Sequence, residues 1–60
     1  MKIIDKVINE IATFNDDMDA YREARSRVQW YKKQGIETEI VDANLETIEI
    51  RRKAWKKFAH

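Results

Sequence analysis

A small, mainly α-helical domain is the fold this chain predicts: an antiparallel αα-hairpin followed by a third, C-terminal helix. Three observations carry that expectation. Apolar residues in 1–14 recur at helical spacing, and residues 16–35 carry helix signals at both ends. The 60-residue chain also holds one glycine and no proline, so little in it breaks a helix.

The first helix is expected over 1–14. Ile3, Ile4, Val7, Ile8, Ile11 and Phe14 follow the i, i+3, i+4, i+7 pattern of an amphipathic helix, with Lys2, Asp5, Lys6, Asn9 and Glu10 on the other face. Adjacent apolar pairs, rather than alternation, argue against a strand over 1–8. The polar break at 13–17 is short enough to set two helices antiparallel.

The second helix, 16–35, organises the rest. Asp16 is placed to cap it, Asp17 and Asp19 put negative charge in its first turn, and Lys32 and Lys33 put positive charge in its last. Gly35 supplies a left-handed residue to end it. Met18, Tyr21, Ala24, Val28 and Tyr31 form the expected inward stripe. The two tyrosines are read as stripe-edge residues with wet hydroxyls rather than as catalytic phenols.

Beyond Gly35 two readings compete. In the favoured one, Asn44 caps a third helix over 45–59. Leu45, Ile48, Trp55, Phe58 and Ala59 then face inward, with Glu46 and Glu49 early and the bases of 51–57 late. The alternative is α+β, an αα-hairpin followed by a β-hairpin at 36–51. Residues 42–44 would form its turn, with Asn44 left-handed, and Ile36, Thr38, Ile40, Ile48 and Ile50 would share a face. That alternative sets Glu37 opposite Glu49, a like-charge clash.

Sixty residues bound the chain to one small domain over 1–60, near the lower limit for folding alone. Tight packing or self-association must then supply stability, so a homodimer is an expected state. The 43% hydrophobic and 38% charged composition is too apolar for disorder. A net charge of +1 indicates neither a uniformly basic nucleic-acid coat nor an acidic mimic of one. No apolar run approaches the ~20 residues of a membrane span, and Asp5 and Glu10 interrupt the first apolar stretch as no signal peptide would. A cytoplasmic location is the expectation.

Charge is blocked along the chain: net −3 over 1–20, +4 over 21–34, −5 over 35–50 and +5 over 51–60. Such blocks mainly let neighbouring segments attract one another, each surface pair contributing ~0–1 kcal/mol. They also offer a means of choosing partner or register.

The residues of catalysis are missing. With no cysteine, disulfides and thiolate zinc sites are excluded, and the one histidine, His60, cannot anchor a metal alone. Ser26 is the only serine, and no Gly-rich phosphate loop is present. Neither an enzyme, nor a cofactor, nor a metal site is expected. The run 15–19 superficially suggests a calcium loop. Counted from Asn15, though, its glycine position is Ala20 and its bidentate glutamate position Ser26, so helix capping accounts for these acids.

Two surfaces remain. On the second helix, Trp30 projects roughly 160° from Val28, off the core stripe, beside Arg27, Lys33 and Gln34. Ile50 is similarly off the stripe of a third helix, near Lys53 and Lys57. An exposed tryptophan beside arginine is typical of binding hot spots. The first expectation is therefore a non-catalytic regulatory protein, an inhibitor or adaptor. It would bind a larger protein partner through Arg27, Trp30, Lys33, Gln34, Ile50, Lys53 and Lys57. Size and composition match small phage-type or bacterial accessory proteins, an analogy of composition alone. The alternative expectation is nucleic-acid binding through Arg51, Arg52, Lys53, Lys56 and Lys57, with Trp55 stacking on a base. Opposing it, Trp55 falls on the Leu45–Ile48 stripe, and the −5 block of 35–50 would have to point away from a polyanion.

Overall fold

Four residues, 6–9, turn the N-terminal segment back on itself as a β-hairpin, not a helix. The structure, a computed structural model, describes residues 1–53. Strand β1 (Lys2–Asp5) pairs antiparallel with β2 (Glu10–Thr13), Ile3 lying opposite Ala12 and Asp5 opposite Glu10. The buried Asp5 carboxylate accepts hydrogen bonds from the backbone N–H groups of Val7 (2.9 Å) and Ile8 (3.4 Å), and Asn9 takes a left-handed φ of 54°. Asparagine tolerates that conformation and aspartate readily caps such a turn.

This overturns the αα-hairpin. The helical spacing of 1–14 arises because Ile3–Ile4 and Val7–Ile8 are adjacent pairs, and a strand accounts for the first pair differently. Ile3 points to the core and is fully buried, while Ile4 points to the opposite face and is half-buried. The β-branched content of the segment favours the extended form. Ile8 and Ile11, expected inside, are 54% and 67% exposed.

The central helix stands. Helix α1 spans Asp17–Lys33, and the side chain of Asp16 accepts from Met18 N–H at 2.8 Å. At its far end Gly35 has φ +82°, its N–H donates to Lys32 O (3.0 Å), and Ile36 N–H donates to Tyr31 O (2.9 Å). That paired closure satisfies two carbonyls the last turn would otherwise leave open. The buried stripe is Ala20, Ala24 and Tyr31, with Tyr21 and Val28 half-buried; Met18 is 66% exposed. The stripe is therefore rotated from the expected one, and two alanines let the helix approach the sheet closely.

After Gly35 the chain forms a second β-hairpin, β3 (Thr38–Asn44) with β4 (Thr47–Arg52), and the third helix over 45–59 is overturned within the described residues. Ile40 lies opposite Ile50 and Asp42 opposite Ile48, with a bulge between Asp42 and Asn44. The turn sits at 45–46, where Asn44 Oδ1 accepts from Glu46 N–H (2.8 Å), so Asn44 is neither helix cap nor left-handed residue. This register removes the Glu37–Glu49 clash: Glu49 faces Val41, and Glu39 pairs with Arg51 at 3.5 Å.

The fold is thus α+β, a small ββαββ unit rather than a small helical protein. Its sheet order is β2-β1-β4-β3, with β1 and β4 parallel at the centre. Helix α1 covers one face. Between them lies a core of Ile3, Ile48, Ile50, Ala20, Ala24 and Tyr31, edged by Met1, Val7, Ala12, Phe14, Val28, Ile36 and Ile40. No helix among the described residues is long and apolar enough to cross a membrane.

Candidate functional site

The most organised polar feature joins β1, β2 and α1. Asp5 lies at the end of β1 on the helix-facing side and is fully buried. Arg27, one turn before Tyr31 on α1, donates through Nη1 to Asp5 Oδ2 at 3.1 Å, and the Tyr31 hydroxyl donates to the same oxygen. The Arg27 guanidinium also pairs with Glu10 of β2 at 2.7 Å and with Glu23 of α1 at 2.8 Å. Three carboxylates therefore surround one cation, and the cluster carries two negative charges more than positive.

The titration of these groups follows from that geometry. Burial raises the Asp5 pKa, but hydrogen bonds from Tyr31, Arg27 and the Val7 and Ile8 N–H groups outweigh it and hold the carboxyl below its ordinary range. Burial and the Asp5 hydrogen bond push the Tyr31 hydroxyl up to about 12. Burial disfavours the Arg27 charge, and its bonds to Glu23, Glu10 and Asp5 more than restore it. A fully buried, fully bonded carboxylate beside a phenol held protonated offers no accessible base. The cluster is a positioning device: it ties the Arg27 flank of α1 to the β1–β2 hairpin.

Trp30 lies on that flank. It is about 60° round the helix from Arg27, on the side away from Ala20, Ala24 and Tyr31. The opposite flank is marked by Tyr21, whose hydroxyl donates to Asp42 of β3 at 3.1 Å and whose pKa that bond raises. Trp30 is 60% exposed, and Lys33 and Gln34 beside it are exposed.

Not all residues expected to bind a partner share this surface. Ile50 is fully buried core, because the β-hairpin turns it toward α1, and it leaves the set. Arg27 is largely buried and committed to Asp5, Glu10 and Glu23, so it positions the surface rather than offering itself. Lys53 is exposed past the end of β4, far from the Trp30 flank in sheet order. Lys57 lies outside the described residues. Nor is Tyr31 a stripe-edge residue with a wet hydroxyl, since it is 6% exposed and bonded inward.

The expected nucleic-acid residues are divided. Arg51 and Arg52 are consecutive in β4 and so point to opposite faces, Arg51 pairing with Glu39. Lys56, Lys57 and Trp55 fall outside the described residues. A basic surface absent from that set lies on the outer face of α1, where Arg22, Arg25, Lys32 and Lys33 are all exposed. The +4 block of 21–34 was its only trace in the sequence, and the rotated stripe gathers it onto one face.

Among the described residues no group of three or more acids or histidines is arranged to hold a metal ion. No protein-family model, curated protein or solved structure matches the chain.

Proposed function

We propose that this chain is a non-catalytic regulatory protein, an inhibitor or adaptor, that docks on a larger protein partner through the Trp30 flank of α1. One observation carries the reading. A large aromatic side chain is left 60% exposed on a flank whose backbone is held rigid by the Asp5–Arg27–Tyr31 cluster. Tryptophans presented on rigid elements supply contact area at low entropic cost and dominate binding hot spots. Trp30, Lys33 and Gln34 form the contact, and Arg27 holds its place. The cytoplasm is the expected location on this reading.

The test is capture of partners from a native lysate by the tagged full chain, with and without nuclease. A single stoichiometric protein retained after nuclease, and lost with Trp30→Ala, is the expected result. Unfolding of Trp30→Ala is not expected, because the side chain is mostly solvent-exposed; circular dichroism checks this. Retention of the protein by a folded Trp30→Ala removes the reading.

The outer face of α1 favours a second reading, binding of nucleic acid. Arg22, Arg25, Lys32 and Lys33 are exposed there, with Lys53 sharing a surface depression with Lys32 and Arg52 one with Gly35 past the helix end. Binding by this face predicts a log affinity that falls linearly with log salt. It also predicts loss of binding when these bases become glutamine.

A further inference from the structure

The two edges of the sheet are protected very differently. Phe14 N–H donates to Met1 O at 2.8 Å and the Met1 amino group donates to Phe14 O at 2.8 Å. Antiparallel alternation then makes Ile3–Ala12 and Asp5–Glu10 the bonded pairs, so the N–H and C=O groups of Ile11 and Thr13 point outward from β2. On the other edge, Lys53 N–H donates to Glu37 O at 3.1 Å, which turns the backbone groups of Thr38, Ile40 and Asp42 outward from β3. That strand carries two acids, Glu39 and Asp42, and no base of its own, and a bulge follows Asp42. Charge and bulge are devices that discourage a further strand. β2 is short, four residues, but it has neither a bulge nor a lysine nor a proline. Its one charged side chain, Glu10, is paired with Arg27, and Ile11 on it is 67% exposed.

We infer that the β2 edge accepts an extended segment of the partner protein as a fifth strand, one that alternates basic and aliphatic side chains. This rests on the protein-docking reading above and gives it a mode. The alternation follows from the two sides of the edge. On the α1 side the added strand runs beside Glu10, whose cluster with Arg27, Asp5 and Glu23 keeps an excess of negative charge. Lysine or arginine side chains fit there by charge. On the other side it runs beside Ile11, itself backed by the half-buried Ile4 of β1, which fits aliphatic side chains. The same acidic excess repels a second copy of this chain across β2, which favours a basic partner over self-pairing. Main-chain bonds at Ile11 and Thr13 give affinity, and the alternating contacts give selectivity.

The probe is a capped peptide of alternating lysine and valine, titrated into the isotope-labelled full chain. Its controls are a block peptide of the same composition and an alternating glutamate–valine peptide. The alternating lysine peptide alone is expected to shift the Ile11 and Thr13 amides and slow their hydrogen exchange. Thr13→Pro removes an outward N–H without breaking the β1–β2 ladder and should weaken binding about tenfold. Ile11→Lys, at an exposed position, should weaken it as well and serves if Thr13→Pro does not fold. Equal response to the block peptide, or shifts confined to β3 or to Arg22 and Arg25, overturns strand addition. So does a concentration-dependent doubling of mass that Ile11→Lys abolishes, which makes a second copy the occupant. If a captured protein partner is lost with Trp30→Ala but kept with Thr13→Pro and Ile11→Lys, docking stands and strand addition fails.

Discussion

Arg27 Nη1 donates to Asp5 Oδ2 at 3.1 Å, joining the middle of the helix to the end of the first strand. The same carboxylate closes the 6–9 turn through Val7 and Ile8. One buried acid therefore ties together the hairpin turn, the helix and, through Arg27, the edge strand at Glu10.

Asp5→Ala leaves the Arg27 charge short of one partner and the buried Tyr31 hydroxyl without an acceptor. Leaving a buried donor such as that hydroxyl unsatisfied costs about 1–3 kcal/mol, and the Val7 and Ile8 N–H groups lose their acceptor as well. The whole stability of a chain this size is roughly 3–9 kcal/mol, so Asp5→Ala is expected to unfold or nearly unfold at room temperature. Asp5→Asn keeps an acceptor oxygen and should cost distinctly less. Urea titration followed by circular dichroism ranks the two; equal stability of wild type and Asp5→Ala would show the cluster to be dispensable.

The cluster also predicts the pH limits of the fold. The Asp5 pKa is lowered from 3.8, so its contribution is present above that value and is lost as pH falls below it toward the folded-state value. The Tyr31 pKa is raised from 10.0 to about 12, so its contribution is complete below pH 10.0 and is lost as pH rises toward 12. Asp5→Asn should flatten the acid limb and Tyr31→Phe the alkaline limb of a stability–pH curve. An unchanged alkaline limb in Tyr31→Phe would assign that limb to other groups.

Thr38 Oγ1 is buried without a hydrogen-bond partner among the described residues. Thr38→Val keeps the β-branched shape and removes the unbonded hydroxyl. Stability should rise by about 1 kcal/mol, read as a higher urea midpoint at constant slope. A fall would mean that the hydroxyl is bonded after all.

The helix ends make a matched pair of tests. Asp16→Ala removes the acceptor for Met18 N–H and should cost about 1 kcal/mol. A Cβ at Gly35 would meet no atom within 4 Å, so Gly35→Ala measures the cost of φ +82° alone, about 1 kcal/mol. Gly35→Asn should recover part of it. Thermal melts of the three variants give the ordering.

What the sequence determined by itself is what local chemistry decides. The span of α1, its Asp16 cap, its charged ends and the left-handed Gly35 all depend on neighbours within a few residues, and all were legible. The alternation of 36–51 was legible too, as one of two readings, because that hairpin closes over a short turn. The exposed position of Trp30 followed from helical geometry.

Only the tertiary structure decided the rest. β1 is a central strand because β4, from the other end of the described chain, lies parallel beside it, and no local spacing announces such a partner. Without that partner the Ile3–Ile4 and Val7–Ile8 pairs read as a helix face. The third helix failed for the same reason: Ile48 and Ile50 gain more by lying beside Ile3 on the sheet face that α1 covers than by lining a separate helix. Local spacing alone places Asp5 on an outer, solvated face. The residue is fully buried because long-range pairing brings Arg27 and Tyr31 to it, and only those partners make burying a carboxylate affordable.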